Sequence, residues 1–461
     1  MTMRRRRLLP TKARPRNIGP RRGPAPPLPD FNPMITMHRR YPVAFAVAAL
    51  ILAAAGRSQE LPSATPESVG LSADRLARIA SVVQEDIDAK RIAGAVTIVV
   101  RRGQVALYDA RGMADREAGR PMQRDAIFRI CSMSKPITST AVMMLYEEGK
   151  FLLEEPVSKY LPEFRNPRVL VTPQNGQPYT VPATSVITIR DLLRHTSGLT
   201  YQWNAALGKQ YSDANVASGL LQYDGTIGDS VKRLAALPLL FNPGDRWEYS
   251  LSVDVLGRLV EVVSGKPFDE FLRTRVFEPL GMKDTYFFLP ADKVARLATA
   301  YTYYDGQGLN RFPDTPIVEG TFAYSANYPY SGPRTLFSGG AGLSSTAMDY
   351  ARFCQMMLNG GTLGHTRLLS RKSVELMTHD QLGKVDRDMG FGLGFGVDGV
   401  KAPLTELGSA GDFNWGGFYY TSFVVDPKDD MIVVFMAQLH PTGGLALEKQ
   451  VQVLAFQALE D

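Results

Sequence analysis

Cysteine is scarce in this 461-residue chain: Cys131 and Cys354 are the only two, which excludes a disulfide framework. The expected role of Cys131 is that of a small buried thiol beside a helix start. Histidine is scarce as well. His38, His195, His365, His379 and His440 are scattered, with no His-x-x-x-His or Cys-x-x-Cys spacing, so neither a metal nor another cofactor is expected. The chain has no Gly-x-Ser-x-Gly segment, the elbow that usually carries the nucleophile of a Ser-His-Asp hydrolase. It also lacks the general basic excess that its formal charge of +6 suggests. Residues 1–40 hold 11 Lys+Arg and one acid, leaving 41 basic against 45 acidic residues in the body, a net of −4. Charge therefore excludes nucleic acid as a partner of the body.

The apolar run Val43 to Ala55 is 13 residues, against the roughly 20 needed to cross a bilayer. Arg39-Arg40 precedes it, and Ala53-Ala54-Ala55-Gly56 closes it with the small residues that signal peptidases prefer. Residues 1–60 are accordingly expected to be a disordered basic leader and a signal peptide, with export to the periplasm or the medium and no membrane partner beyond the export machinery. Initiation at Met34 or Met37 would give a signal peptide of ordinary layout. No lipobox cysteine is present to carry a lipid anchor.

What is present reads as one domain, 61–461. Its 44% hydrophobic and 21% charged composition is that of a globular protein with a substantial core. Ser72 is placed to cap a helix whose Leu76, Ile79, Val83 and Ile87 share a stripe. Ala95–Val100 and Val105–Tyr108 read as a hairpin turned at Gly103, while Phe418–Val425 and Met431–Met436 bracket the turn Asp426-Pro427-Lys428-Asp429-Asp430. A last helix is expected over Leu445–Leu459. The economical architecture is α/β (α+β): one antiparallel sheet built from both chain ends, about 68–130 and 385–461, flanked by the terminal helices, with a mostly helical lobe, about 131–384, inserted. Within that lobe, Thr188-Ile189-Arg190-Asp191 has a capping-box pattern. Further helices start near Ser252 and after Ala347.

The segment Ile130-Cys131-Ser132-Met133-Ser134-Lys135-Pro136 stands where a helix over Ile137–Glu148 begins, and Pro136 is tolerated because the first turn needs no N–H from it. The spacing puts Ser132 and Lys135 on one face near the positive end of the helix dipole. A serine hydroxyl needs a base to lose its proton, and a lysine in a dry cleft is easier to deprotonate.

Phe128-Arg129-Ile130-Cys131-Ser132-Met133-Ser134-Lys135-Pro136, Arg190-Asp191-Leu192-Leu193-Arg194-His195-Thr196-Ser197-Gly198-Leu199, Pro243-Gly244-Asp245-Arg246-Trp247-Glu248-Tyr249-Ser250, Ser338-Gly339-Gly340-Ala341-Gly342-Leu343 and Trp415-Gly416-Gly417 follow one another in an order that resembles the serine β-lactamase-like hydrolases. That superfamily includes class C β-lactamases, D-alanyl-D-alanine carboxypeptidases and carboxylesterases. The resemblance runs from about Glu67 to the C-terminus and implies a β-lactamase/transpeptidase-like fold. It implies Ser132 as the acylated nucleophile, Lys135 as its partner amine and Tyr249 as the phenol that shares the proton relay. A cation beside a phenol favours phenolate, so Lys135 and Tyr249 are assigned jointly. The N–H groups of Ser132 and Phe418 are implied as the oxyanion hole, where such a donor is worth roughly 3–4 kcal/mol.

Two departures from the β-lactamases bear on the substrate. Where those enzymes carry Lys-Thr-Gly, this chain has Trp415-Gly416-Gly417, and an indole N–H replaces a charge-assisted contact to carboxylate of about 1.5–3 kcal/mol. Where they carry Tyr-x-Asn, this chain has Leu251. Both changes point to neutral esters, with Trp415, Gly416, Gly417 and Leu251 at the substrate and Tyr324, beside Tyr328 and Tyr330, as a candidate wall of the acyl pocket; small to medium acyl chains are expected. Glycine at 416 and 417 lets the backbone approach a substrate closely. The expected activity is a serine carboxylesterase with a small-molecule ester as partner. The alternatives are a β-lactamase or D,D-peptidase, an acyltransferase on the same fold and, more distantly, a non-catalytic binding protein. His195 is expected to be structural.

Overall fold

Ser72 caps a short helical turn, Ala73–Leu76, accepting from the Arg75 N–H at 3.4 Å, and α1 (Arg78–Asp88) continues the stripe with Ile79 and Val83 buried. The computed structural model describes residues 61–304, 306–385 and 389–461, together with Gly23. The expected signal peptide, with its run Val43–Ala55, lies outside the described residues. Among the described residues no helix is long and apolar enough to cross a membrane.

The hairpin at Gly103 is present and longer than its apolar residues suggest. β1 (Gly94–Arg101) and β2 (Gln104–Asp115) pair antiparallel, and Arg102 and Gly103 both take positive φ, 53° and 72°, as a tight hairpin turn requires. β3 (Arg120–Pro121) ends this edge. From the other end of the chain come β4 (Gly390–Phe391), β5 (Gly396–Val397), β6 (Phe413–Gly417), β7 (Thr421–Asp426) and β8 (Met431–Met436). The eight strands form one antiparallel sheet in the order β4-β5-β6-β7-β8-β1-β2-β3. Chain ends are joined where β1 pairs with β8, in the register Ile98↔Val434 and Val99↔Val433.

One expected strand is divided. Phe418, Tyr419 and Tyr420 do not begin β7 but form the turn between β6 and β7, with Tyr420 at φ 66° and its N–H donated back to the Gly417 carbonyl at 3.0 Å. Alternating apolar residues cannot distinguish a strand from a tight turn whose aromatic side chains pack inward.

Because strand side chains alternate, β1 and β8 feed two cores. Ile98, Val100, Ile432 and Val434 join the core that holds the helical lobe, whereas Val99, Val433 and Phe435 meet residues of α1 and α6 (Leu447–Phe456) on the opposite face. The lobe contributes α2 (Ser134–Glu147), α3 (Ile189–Leu193), α4 (Ser252–Ser264) and α5 (Ala347–Leu358). The capping box at Thr188 and Asp191 is formed, and Gly265 ends α4 at φ 71°. Although α5 falls within 131–384, it packs against β1 and β8, so the sheet is covered on both faces. α2 is buried on all sides from Ser134 to Leu145, a central helix and not an amphipathic one. It packs against α4, and the Ser-x-x-Lys segment leads into its start.

Candidate active site

Ser132 lies in a 3-10 turn, Cys131–Met133, that leads directly into α2. The turn is held on both sides. Phe128–Arg129 pairs with Ser344–Ser345, the Ile130 N–H donates to the Leu343 carbonyl at 3.1 Å, and the Leu343 N–H donates to Ser134 Oγ at 3.1 Å. Cys131 has φ 45°, a left-handed conformation that costs a non-glycine residue about 1–2 kcal/mol and persists because the neighbours over-determine it. Its thiol is buried as expected, 3.7 Å from Tyr328 Oη, and burial raises its pKa to about 11.

Lys135 is 1% exposed, and its three ammonium hydrogens meet three oxygens: the Gly340 carbonyl at 2.8 Å, Tyr201 Oη at 3.1 Å and Ser132 Oγ at 3.3 Å. Tyr249 stands against the same ammonium by its ring face, with Nζ 4.4 Å from the centroid. Its hydroxyl accepts from Trp415 Nε1 at 3.4 Å. The structure therefore brings Ser132, Lys135, Tyr249 and Trp415 together, and adds a second phenol, Tyr201, that the sequence reading missed. Burial, reinforced by the charges that Tyr249, Asp254 and Cys131 can carry, pushes the Tyr201 phenol well above its ordinary value, so it meets Lys135 as a neutral hydroxyl. A sequence signal did exist: Tyr201 and Trp203 alternate around Gln202 and their rings stack 4.1 Å apart.

These groups open on a cavity of about 430 Å³. Ser132, Tyr201 and Tyr249 line it on one side, Trp415, Gly416 and Phe418 on another, with Trp203, Ser218, Leu220, Ala341 and Asn414 completing the wall, so no lining residue is acidic or basic. Gly417 does not line it but lets it form: a Cβ there would collide with the Ile130 carbonyl, and only glycine allows β6 to close on the nucleophile turn. Phe418 follows at the cavity edge, its ring stacked on His440 at 3.6 Å between centroids.

Two expected positions fall elsewhere. Tyr324 is fully buried behind Phe418, at 4.9 Å between ring centroids, with its hydroxyl donated to Glu319 at 2.7 Å; Phe418 takes the place on the wall and screens it. Leu251 is 1% exposed and turns into the core because α4 begins at the next residue, its N–H donating to the Thr200 carbonyl at 3.2 Å. Tyr328 is buried against Cys131, and Tyr330 borders a different recess. His195 is buried behind Tyr249, 5.0 Å between ring centroids, with Nδ1 3.0 Å from Ser250 Oγ. Among the described residues no group of His, Cys, Asp and Glu is arranged to hold a metal ion.

A serine hydroxyl bonded to a buried ammonium between two phenols, at the N-terminus of a central helix and facing the last turn of a sheet strand, is the constellation of a serine acyl-transfer enzyme. The comparisons agree. The chain belongs to the β-lactamase family, whose model matches residues 79–457, and it is a serine hydrolase of that fold. It is 36% identical over 375 residues to an uncharacterized protein of Mycobacterium tuberculosis (strain CDC 1551 / Oshkosh), covering 78% of this chain and 89% of that one. It is 35% identical over 381 residues to esterase EstB of Burkholderia gladioli, covering 79% and 91%. Among solved structures it superposes with EstCE1, a hydrolase with promiscuous acyltransferase activity, at a TM-score of 0.71 and 30% identity, covering 84% of this chain and 99% of that one.

Proposed function

We propose that the protein is a carboxylesterase that hydrolyses neutral esters of small to medium acyl chain through an acyl-Ser132 intermediate. Ser132 Oγ forms a bond to the ester carbonyl carbon while its proton passes to the Lys135–Tyr249 pair. The N–H groups of Ser132 and Phe418 receive the oxyanion, and the alcohol leaves with the proton. Water then attacks the acyl carbon and gives a proton to the same pair, which returns it to Ser132 Oγ as the Oγ–acyl bond breaks and the acid is released.

The observation that carries the substrate class is the cavity wall. Trp415 lines it with a single N–H turned to Tyr249, and none of the lining side chains bears a charge that could hold a carboxylate; by motif resemblance this is the position of the β-lactamases' Lys-Thr-Gly lysine. The likeness to esterase EstB supports the same reading.

The test is a panel of p-nitrophenyl esters beside nitrocefin, with a fluorophosphonate probe for the nucleophile. Turnover of the butyrate ester is expected to exceed that of nitrocefin, and Ser132→Ala is expected to lose labelling and at least about a thousandfold in kcat/KM. Faster hydrolysis of nitrocefin would replace the ester reading with that of a β-lactamase or D,D-peptidase.

A further inference from the structure

Behind Lys135, on the side away from the cavity, α4 brings in a carboxylate that nothing in the ester mechanism uses. Asp254 is buried, with one oxygen, Oδ1, accepting from Ser338 Oγ at 2.6 Å and from the Gly340 N–H at 3.5 Å. The other, Oδ2, is buried with no hydrogen-bond partner among the described residues. It lies beside Gly340, 2.5 Å from where a Cβ would stand, and Tyr201 Oη lies 3.3 Å from the same point. The carbonyl of that glycine is the acceptor that holds Lys135 Nζ at 2.8 Å. One residue of backbone thus separates a buried acid from a buried ammonium. The close approach needs the glycines of Ser338-Gly339-Gly340: a Cβ on Gly339 would stand 2.5 Å from the Val253 carbonyl of α4.

We infer that Asp254 is the counter-ion of Lys135, a positioning residue that keeps the ammonium charged in its buried seat and thereby sets the pH below which Ser132 is not activated. The inference rests on the reading of Ser132, Lys135 and Tyr249 as the acyl-transfer machinery. A lone ammonium with almost no contact with water would lose its proton; a carboxylate one peptide away offsets that tendency. To take the proton of Ser132, the Lys135–tyrosine group must first give one up, and a neighbouring negative charge makes this harder whether the base is neutral lysine or phenolate. Among the described residues, the titratable groups that face Lys135 and Tyr201 are Cys131 from the 3-10 turn, Tyr249 before α4 and Asp254 on α4. Asp254 is the only carboxylate among them. Burial raises its own pKa on balance, and Ser338, the Lys135 charge and the Gly340 N–H offset part of that rise. Arg258, one turn further along α4, is engaged by Glu261 at 2.9 Å.

The experiment is the rate of fluorophosphonate labelling of Ser132 as a function of pH, which requires an activated nucleophile but no ester turnover. In Asp254→Asn the acid limb is expected to move to lower pH by about one unit or more, as expected for losing a unit charge at this range in a partly screened interior. Ser338→Ala, which removes the hydroxyl that favours the charged carboxylate, is expected to move the limb the same way by less, and it reports even if the asparagine variant does not fold. A lower plateau with the limb unmoved, or a limb moved to higher pH, would overturn the inference and leave Asp254 a merely structural group. Wild-type protein that labels at Ser132 but turns over no ester would sink the ester reading alone. Wild-type protein that does not label would remove the machinery on which the inference stands.

Discussion

Two regions of the molecule, the apolar layer on one face of the sheet and the polar junction around Lys135, are held by different physics. On the face covered by α1 and α6, Val99, Val433, Phe435, Ile79 and Val451 pack as apolar side chains whose requirement is volume. At the junction of α2, α4 and the Ser338–Leu343 loop, the buried groups are Lys135, Tyr201, Asp254, Ser338 and Ser134, and each has a named partner. The first region is non-directional, so similar residues can replace one another there at modest cost. The second is directional: a buried donor or acceptor that loses its partner keeps its full desolvation cost.

That contrast predicts where stability and activity separate. Phe435→Ala, in the apolar layer, is expected to cost about 3–5 kcal/mol in urea unfolding while the folded fraction keeps its wild-type KM and pH profile. A changed pH profile in that variant would show the two regions to be coupled.

Within the polar junction, Tyr249→Phe is expected to lower kcat about a hundredfold with little change in KM, because its hydroxyl lies at the cavity. Tyr201→Phe is expected to lose only about tenfold, because Tyr201 holds Lys135 as a neutral acceptor. The opposite ranking would transfer the relay to Tyr201.

The most gradual effect concerns His440, which stacks on Phe418. Burial lowers its pKa from 6.5 to about 4. Below pH 6.5 the unfolded chain therefore binds a proton that the native state refuses. Stability is fully present above that value and falls as the pH drops toward 4, by at most about 1.4 kcal/mol per unit. His440→Gln should flatten that part of the urea-midpoint profile between pH 7 and 5; an unchanged slope would assign it to other groups.

Much of the fold was legible because it follows local rules. The Gly103 hairpin, the Ser72 and Thr188 caps and the strands β1 and β8 themselves come from turn chemistry, capping and short apolar runs. Legibility ended where a side chain's meaning depended on a distant neighbour. Phe418–Tyr420 has the composition of a strand and forms a turn, since β6 must stop where Gly417 meets Ile130. Tyr324 has the composition of a pocket wall and stands behind one.

By itself the sequence determined that a hydroxyl and an amine stand three residues apart where a helix begins, and that both chain ends carry strands, because spacing and apolar runs are local. Only the tertiary structure decided that Tyr201 as well as Tyr249 meets Lys135, that Leu251 faces the core, and that Asp254 lies one glycine away from the ammonium. The contacts of Lys135 join segments 66 to 205 residues apart, set by how closely α2, α4 and the Ser338–Leu343 loop can pack once no side chain stands between them.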